Sequence, residues 1–256
     1  MDIDNAHCDT EETCPAGMSP FEMLPPEIAE IPIRMAMRGD RRGNHDFLVD
    51  VIAKVSARFK ALAASKSLWR GLVDIKADTS EKMQQVVQEF LNEATTNLTF
   101  NGNQDMPTIC GGDIVKIATK CPKLKKLTIH YRIKLNSWPT LNSPWTSLKK
   151  LIFFYVVVKP DLFRNVKLHH SLPKLEKLDF YPIMYIDSPP FILPNMGSCK
   201  FLRSIRLSGD RFMVKHLPSG LKNLDGYANI TNVTKASLEE HFEDCYISPT
   251  ITFVPL

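Results

Sequence analysis

Apolar and polar positions follow one another along this chain in two different rhythms, one helical and one built on short strands. Between residues 46 and 63 the rhythm is helical. At about 100° per residue, Phe47, Leu48, Val51, Ile52, Val55, Phe59 and Leu62 fall within an arc of about 140°, which predicts one amphipathic helix with a broad apolar stripe. Arg58 lies inside that arc and has to carry its charge to the edge. Upstream, "FEMLPPEIAEIPIRMAM" (21–37) is a proline-rich entry into a short helical stretch. Pro25 and Pro26 suit a helix start, whereas Pro32 is expected to end or kink any helix it enters. "RGDRRGNHD" (38–46) between the two is a polar loop. After "AASKS", Ser67 can cap a last turn that carries Leu68, Trp69 and Leu72.

From residue 81 the second rhythm takes over. The pattern L-x-x-L-x-L occurs at Leu124-Leu127-Ile129, Leu148-Leu151-Phe153, Leu175-Leu178-Phe180 and Leu202-Ile205-Leu207. A degraded copy follows at Leu221-Leu224, with Gly226 in the third slot, and partial copies stand at Leu98-x-Phe100 and Ile251-x-Phe253. The second anchors (127, 151, 178, 205, 224) are 24, 27, 27 and 19 residues apart. Repeats of 20–29 residues with this spacing are the signature of a leucine-rich array. One unit cannot hide its apolar face, but a stack of units can. The return segments are helical where they can be read: in "DIVKIATKCPKL", Ile114, Ile117, Ala118 and Cys121 share one helix face. Trp138, Trp145 and the run "LIFFYVVV" (151–158) are absorbed into strands and inter-repeat loops.

Composition narrows the function classes. The 256 residues are 44% hydrophobic and 23% charged, as expected of a globular protein. Asp2, Asp4, Asp9, Glu11 and Glu12 lie in an N-terminal stretch with no Lys or Arg, so the rest of the chain carries +9 against an overall +4. That is mildly basic and far from a nucleic-acid-binding composition. No apolar run approaches the roughly 20 residues of a membrane span, and the acidic N-terminus has no secretory h-region. Cytoplasmic or nuclear residence with reduced thiols is the expectation. The six cysteines (8, 14, 110, 121, 199 and 245) make no C-x-x-C pair, which argues against zinc. The sequons at Asn97, Asn229 and Asn232 carry no weight without secretion.

Residues 21–72 resemble an F-box. "LPPEI" (24–28) is similar to the family's Leu-Pro start, "VSARF" (55–59) to its Val-Cys-Lys-Arg-Phe helix and "SLWRGL" (67–72) to its closing Ser-Leu-Trp. The repeats resemble the leucine-rich half of F-box/leucine-rich-repeat proteins, in which "CPKLKKL" (121–127) is a familiar phrase. Ser56 in place of Cys, a longer Leu24–Val55 connection and Pro32 are departures from that pattern. The resemblance implies an α/β chain in three parts. A disordered acidic tail (1–20) precedes a small all-helical F-box (21–75). A curved leucine-rich-repeat solenoid (76–256) follows, with a parallel sheet on its concave face.

It also implies a function: a non-catalytic substrate receptor of an SCF-type ubiquitin ligase. The F-box would bind a Skp-family adaptor, and through it a cullin–RING ligase, by way of Leu24, Pro25, Ile28, Val55, Phe59 and Trp69. For Val55, Phe59 and Trp69, filling the small domain's own core is an equal alternative. A protein substrate would lie on the x positions between the leucines. These form one column of Lys126, Lys150, Lys177, Ser204 and Asn223, a second of Thr128, Ile152, Asp179, Arg206 and Asp225, and a third of His130, Phe154, Tyr181, Ser208 and Tyr227. Of these, Lys126, His130, Lys150, Phe154, Lys177, Asp179, Tyr181, Arg206 and Tyr227 combine aromatic anchors with a charged rim. The same lysines would also suit a merely solvated strand face. A repeat scaffold without a ligase role stays open. No catalytic, metal or cofactor motif is visible. His169-His170 reads as a solvated loop with rings pointing apart, and Gly111-Gly112 as a turn before a helix rather than an anion site.

Overall fold

The computed structural model describes residues 20–38, 45–139, 141, 143–163, 166–183, 189–214, 216–231 and 244–254. The acidic tail of residues 1–19 and most of the 38–46 loop lie outside the described residues.

The chain is α/β, with a mostly parallel open sheet and few helices. Twelve strands join one sheet, and its main path follows chain order: β1 (Gly71–Lys76), β2 (Thr95–Asn101), β4 (Lys126–His130), β6 (Lys150–Val158), β7 (Lys177–Ile183), β9 (Ser204–Met213), β10 (Asn223–Thr231) and β11 (Tyr246–Ile247). Every pairing between these neighbours is parallel. Short strands β3 (Thr108–Ile109), β5 (Lys134–Leu135), β8 (Phe191–Ile192) and β12 (Ile251–Phe253) pair with the same sheet off that path.

The leucine pattern sets the register. Val73, Leu98, Leu127, Leu151, Leu178, Ile205, Leu224 and Ile247 lie side by side in one column. Ile75, Phe100, Ile129, Phe153, Phe180, Leu207 and Gly226 form the next. Because strand side chains alternate, both columns face one side, and from Val73 to Leu224 the side chains of the first column are essentially fully buried. Each contributes about 2 kcal/mol by leaving water, which outweighs any single strand–strand hydrogen bond. The register corrects one sequence expectation. Ile251-x-Phe253 is not the next copy, since Ile251 pairs with Ala228, beyond the repeat register, and Ile247 takes the leucine slot.

Return segments sit on the core side. Helix α5 (Ser80–Gln85) widens into a π-helical turn over Val86–Phe90. Helix α6 (Gly111–Lys120) buries Ile114 and Ile117, with Cys121 closing it. Trp138 and Trp145 lie buried in inter-repeat loops, the latter donating from Nε1 to the Cys121 carbonyl at 3.3 Å. A ladder of rings (Phe153, Phe163, Phe180, Phe191, Phe212) runs through the middle of the core.

The N-terminal unit departs from expectation in three ways. Helix α2 (Pro26–Arg38) runs straight through Pro32. The bond lost there belongs to the carbonyl of Ile28, a half-exposed residue whose carbonyl water can satisfy. The single helix expected over 46–63 is broken into α3 (His45–Asp50), a 3₁₀ turn (Ile52–Lys54) and α4 (Ala57–Ala63). Ser56 breaks it, because its hydroxyl caps α4 at the Phe59 amide, 3.3 Å away. Finally, residues 71–76 belong to the sheet as β1, so the unit is not helical through residue 75. Leu72, expected on a capped turn with Trp69, lies on that strand and is exposed. Helical unit and sheet share one continuous buried core that runs from Ala29 to Ile251.

Candidate functional site

Two surfaces carry the sequence-predicted residues. The first is the helical unit, where α1 (Pro20–Met23) leads into α2. Stepping 100° per residue, α2 has two apolar stripes on opposite sides. Ala29, Ile33 and Met37 are buried, whereas Ile28 (48% exposed), Ile31 (50%) and Met35 (67%) are open to solvent. Val51 and Val55, expected in the buried stripe of one long helix, are also exposed: Val51 stands at the break between α3 and the 3₁₀ turn, and Val55 just before the Ser56 cap. Leu24 is half-buried and Pro25 exposed, and the Arg58 guanidinium donates to the Leu24 carbonyl. Phe59 stacks on Phe21 with ring centroids 5.3 Å apart. On α2 the buried Glu30 carboxyl lies below the usual carboxylate range. Burial opposes the shift, but hydrogen bonds from Ser65, Ser67 and Arg34 outweigh it.

Trp69 is the correction in this set. It has no exposed surface at all. Its indole donates to the Ala63 carbonyl at 2.6 Å, and its ring packs between His45 of α3 (5.2 Å) and Phe90 of the π-helical turn (5.5 Å). It therefore cannot face an adaptor; it locks the helical unit to the first repeat. A charged clamp lies along the same joint. Lys82 reaches Asp46 and Asp50, each at 2.7 Å, and Asp46 accepts from the Lys76 amide of β1. Burial disfavours the Lys82 charge, but those two carboxylates overcome it and push its pKa up.

The second surface is the sheet face opposite the core. The three predicted columns are the observed register: Lys126, Lys150, Lys177, Ser204 and Asn223 align, as do Thr128, Ile152, Asp179, Arg206 and Asp225. His130, Phe154 and Tyr181 align in the third, with Ser208 and Tyr227 continuing it. His130 lies flat on Phe154 (4.9 Å, 7° between planes), and Phe154 meets Tyr181 at 4.9 Å. Tyr227, two-thirds exposed, stands apart from this band. Two pairs balance charge toward the C-terminal strands: Lys177–Asp179 at 2.9 Å and Arg206–Asp225 at 2.8 Å. Among the described residues Lys126 and Lys150 have no ion-pair partner. Burial raises the Tyr181 phenol pKa, with Asp179 and Asp225 adding to the shift and Arg206 opposing it.

Sequence reasoning does not single out Tyr131, Arg132 and Tyr155. All three have backbone φ near +55°, in the left-handed region that bulky residues avoid. Tyr155 is the extra residue of a bulge that breaks the β6–β7 register between Phe154 and Val156. It is half exposed and packs edge-on against Phe154 at 4.5 Å. Tyr131 lies beside His130, and Arg132 sits over the Tyr131 ring. The five rings form one continuous aromatic band across β4, β6 and β7.

His130 provides a pH test of this packing. Burial lowers its pKa, with Asp74 pulling the other way, so folding favours the neutral imidazole. The unfolded chain binds that proton at about pH 6.5, so the folded state binds fewer protons below it. Stability from this group is complete above about pH 6.5 and declines as pH falls toward the depressed folded value. His130→Phe, which keeps the stack, is expected to lose less thermal midpoint than wild type between pH 7.5 and 5.5. His169, lowered chiefly by burial, leaves a residual slope in both.

Elsewhere the chemistry is sparse. His169 and His170 do adjoin, with ring centroids 4.2 Å apart, because they lie on a short helix (Leu168–Ser171) rather than a loop. At the start of α6 the Gly111 amide donates to Ser137 Oγ and Asp113 accepts from the Cys110 amide, so the helix start is satisfied internally and carries a carboxylate. A cleft beside α6 is lined by Val115, Ala118, Thr119, Pro122, Leu141 and Trp145, and among the described residues lining it none is titratable. Among the described residues no three His, Cys, Asp or Glu converge as metal ligands, and no helix is long and apolar enough to cross a membrane. No protein-family model matches the chain, and no curated protein is similar to it.

Proposed function

We propose that this chain is the substrate-receptor subunit of an SCF-type ubiquitin ligase, with an F-box-like helical unit for a Skp-family adaptor and a leucine-rich-repeat sheet for a protein substrate. The observation that carries the reading is the second apolar stripe of α2. Ile28, Ile31 and Met35 are left in water on a helix that already buries its other stripe. A unit this size exposes such a stripe at a cost, and an obligate partner removes that cost. Val51 and Val55 add apolar surface on the same unit. The rest of the chain needs no chemistry of its own for this role. Holding a substrate near a ubiquitin-charged conjugating enzyme raises effective concentration, and that is where the rate gain originates.

Co-expression with a Skp-family adaptor tests the reading. Wild type is expected to co-purify with it, and Ile28→Asp combined with Met35→Asp to reduce recovery at least tenfold. Both positions are about half exposed or more, so the thermal midpoint should hold. Absence of the adaptor from wild-type preparations would end the ligase reading.

A further inference from the structure

The outer sheet face is not uniform, and its uneven parts fall on the same three strands. The side chains that balance their own charge, Lys177 with Asp179 and Arg206 with Asp225, lie on β7, β9 and β10. Lys126, Lys150 and Arg132, which have no ion-pair partner among the described residues, belong to β4, β6 and the residue pair just after β4. On β4 and β6 those charges bracket the aromatic band, with lysines at the strand starts and Arg132 at its lip. Phe154 stands four residue steps along β6 from Lys150, which at about 3.3 Å per step is about 13 Å. The band itself is held in place by backbone that resists it, since Tyr131 and Tyr155 occupy left-handed conformations that tyrosine avoids. On the same face, Thr128 Oγ1 and Asp179 Oδ1, on residues more than nine-tenths buried, have no hydrogen-bond partner among the described residues.

We propose that the outer face of β4, β6 and β7 binds an extended acidic protein segment, seating one large apolar side chain on the band of His130, Phe154, Tyr155 and Tyr181 and setting carboxylates about four residues away against Lys126 and Lys150. This names a substrate class for the face that the ligase reading assigns to substrate, and it rests on that reading only for its biological use. Aromatic rings give anchoring area at low entropic cost, and two uncompensated lysines give the charge preference. Asp179 does not cancel that preference, because Lys177 already neutralises it.

The test uses the full chain and a fluorescein-labelled twelve-residue peptide with three consecutive aspartates and, four residues on from the middle one, a tryptophan. Fluorescence anisotropy is expected to show saturable binding that weakens as salt rises. Lys126→Glu with Lys150→Glu should weaken it at least tenfold, as should Tyr155→Asn, and a peptide with the tryptophan replaced by glycine should lose as much. Asn tolerates the backbone at position 155, so circular dichroism and the thermal midpoint of that variant should not fall. Peptide-side replacement reads the anchor without touching the fold. The proposal is overturned by no saturable binding, by equal binding of a lysine-for-aspartate peptide, or by tighter binding of a ten-residue oligo-uridine than of the acidic peptide. Any of these results leaves adaptor co-purification where it was, so the two readings fail separately.

Discussion

Phe180→Ala is expected to destabilise the protein by about 4 kcal/mol and to lower its thermal midpoint by roughly 8–16 °C. Phe180 has no exposed surface and sits at the centre of the ring ladder. Phe191 lies 4.5 Å from it, Phe153 5.5 Å, Phe163 5.9 Å and Phe212 6.2 Å. Three of those partners, Phe153, Phe191 and Phe212, are strand residues held by parallel pairing, and Phe153 is in register with Phe180 itself. Such a frame collapses poorly onto a gap, so both transfer and cavity contributions should appear. Urea denaturation checks the value: the midpoint should fall while the slope m stays near wild type. Phe154→Ala, one residue on from Phe153 but on the opposite face, should cost far less, because Phe154 is only part-buried and its neighbours can close over it. A loss of comparable size for Phe154 would mean that the outer aromatic band belongs to the fold rather than to a docking surface.

The repeat is legible in the sequence because it depends on two simple facts, the two-residue alternation of strands and the inability of one unit to bury itself. From those, the columns Lys126–Lys150–Lys177 and Thr128–Ile152–Asp179–Arg206 follow directly. What cannot be read is wherever local backbone overrides the alternation. In "LIFFYVVV" the buried positions are Leu151, Phe153 and Val156, so the parity changes after Phe154 and Tyr155 becomes the surplus residue. Periodicity alone gives no sign of that, since all eight residues are apolar. The first strand escapes for the reverse reason. Val73 and Ile75 fit the repeat register, but "GLVDIK" has no preceding leucine anchor, and helical spacing groups Leu72 with Trp69.

Two residues conceal the shape of the helical unit. Pro32 hides the continuity of α2 and with it the second stripe of Ile28, Ile31 and Met35, which the sequence shows at i, i+3 and i+7 once the helix is allowed to continue. Ser56 falls inside the apolar periodicity yet starts a helix, and with the earlier break at Val51 this leaves Val51 and Val55 on the surface. Trp69 cannot be decided from sequence because its covers, His45, Ala63 and Phe90, come from both sides of it in the chain.

Gly226→Ala is expected to cost about 3 kcal/mol or more, and Gly226→Leu, which would restore the leucine pattern in its weakest copy, to be worse still. The backbone at 226 has φ +112°, a conformation open to glycine and strained for any residue with a Cβ. Space is lacking as well: a Cβ at this position would lie 1.8 Å from the Leu207 carbonyl oxygen and 2.8 Å from its carbon. Those atoms are the backbone of β9, paired in register with β10, so no side-chain rotation relieves the clash. Gly71 separates the two effects. It too has positive φ, +88°, but a Cβ there would meet nothing within 4 Å, so Gly71→Ala should show strain alone, about 1 kcal/mol. Hydrogen exchange locates the damage. In Gly226→Ala, protection should fall first at Ala228, Ile230 and Ile251, where β10 holds β12, while Leu127 and Leu151 keep theirs. Uniform loss along the sheet would mean that the eight strands unfold as one unit, and unchanged protection would mean that β9 can yield the missing space. Loss confined to the β10 end makes the degenerate last copy a requirement of the neighbouring backbone and not erosion of the repeat.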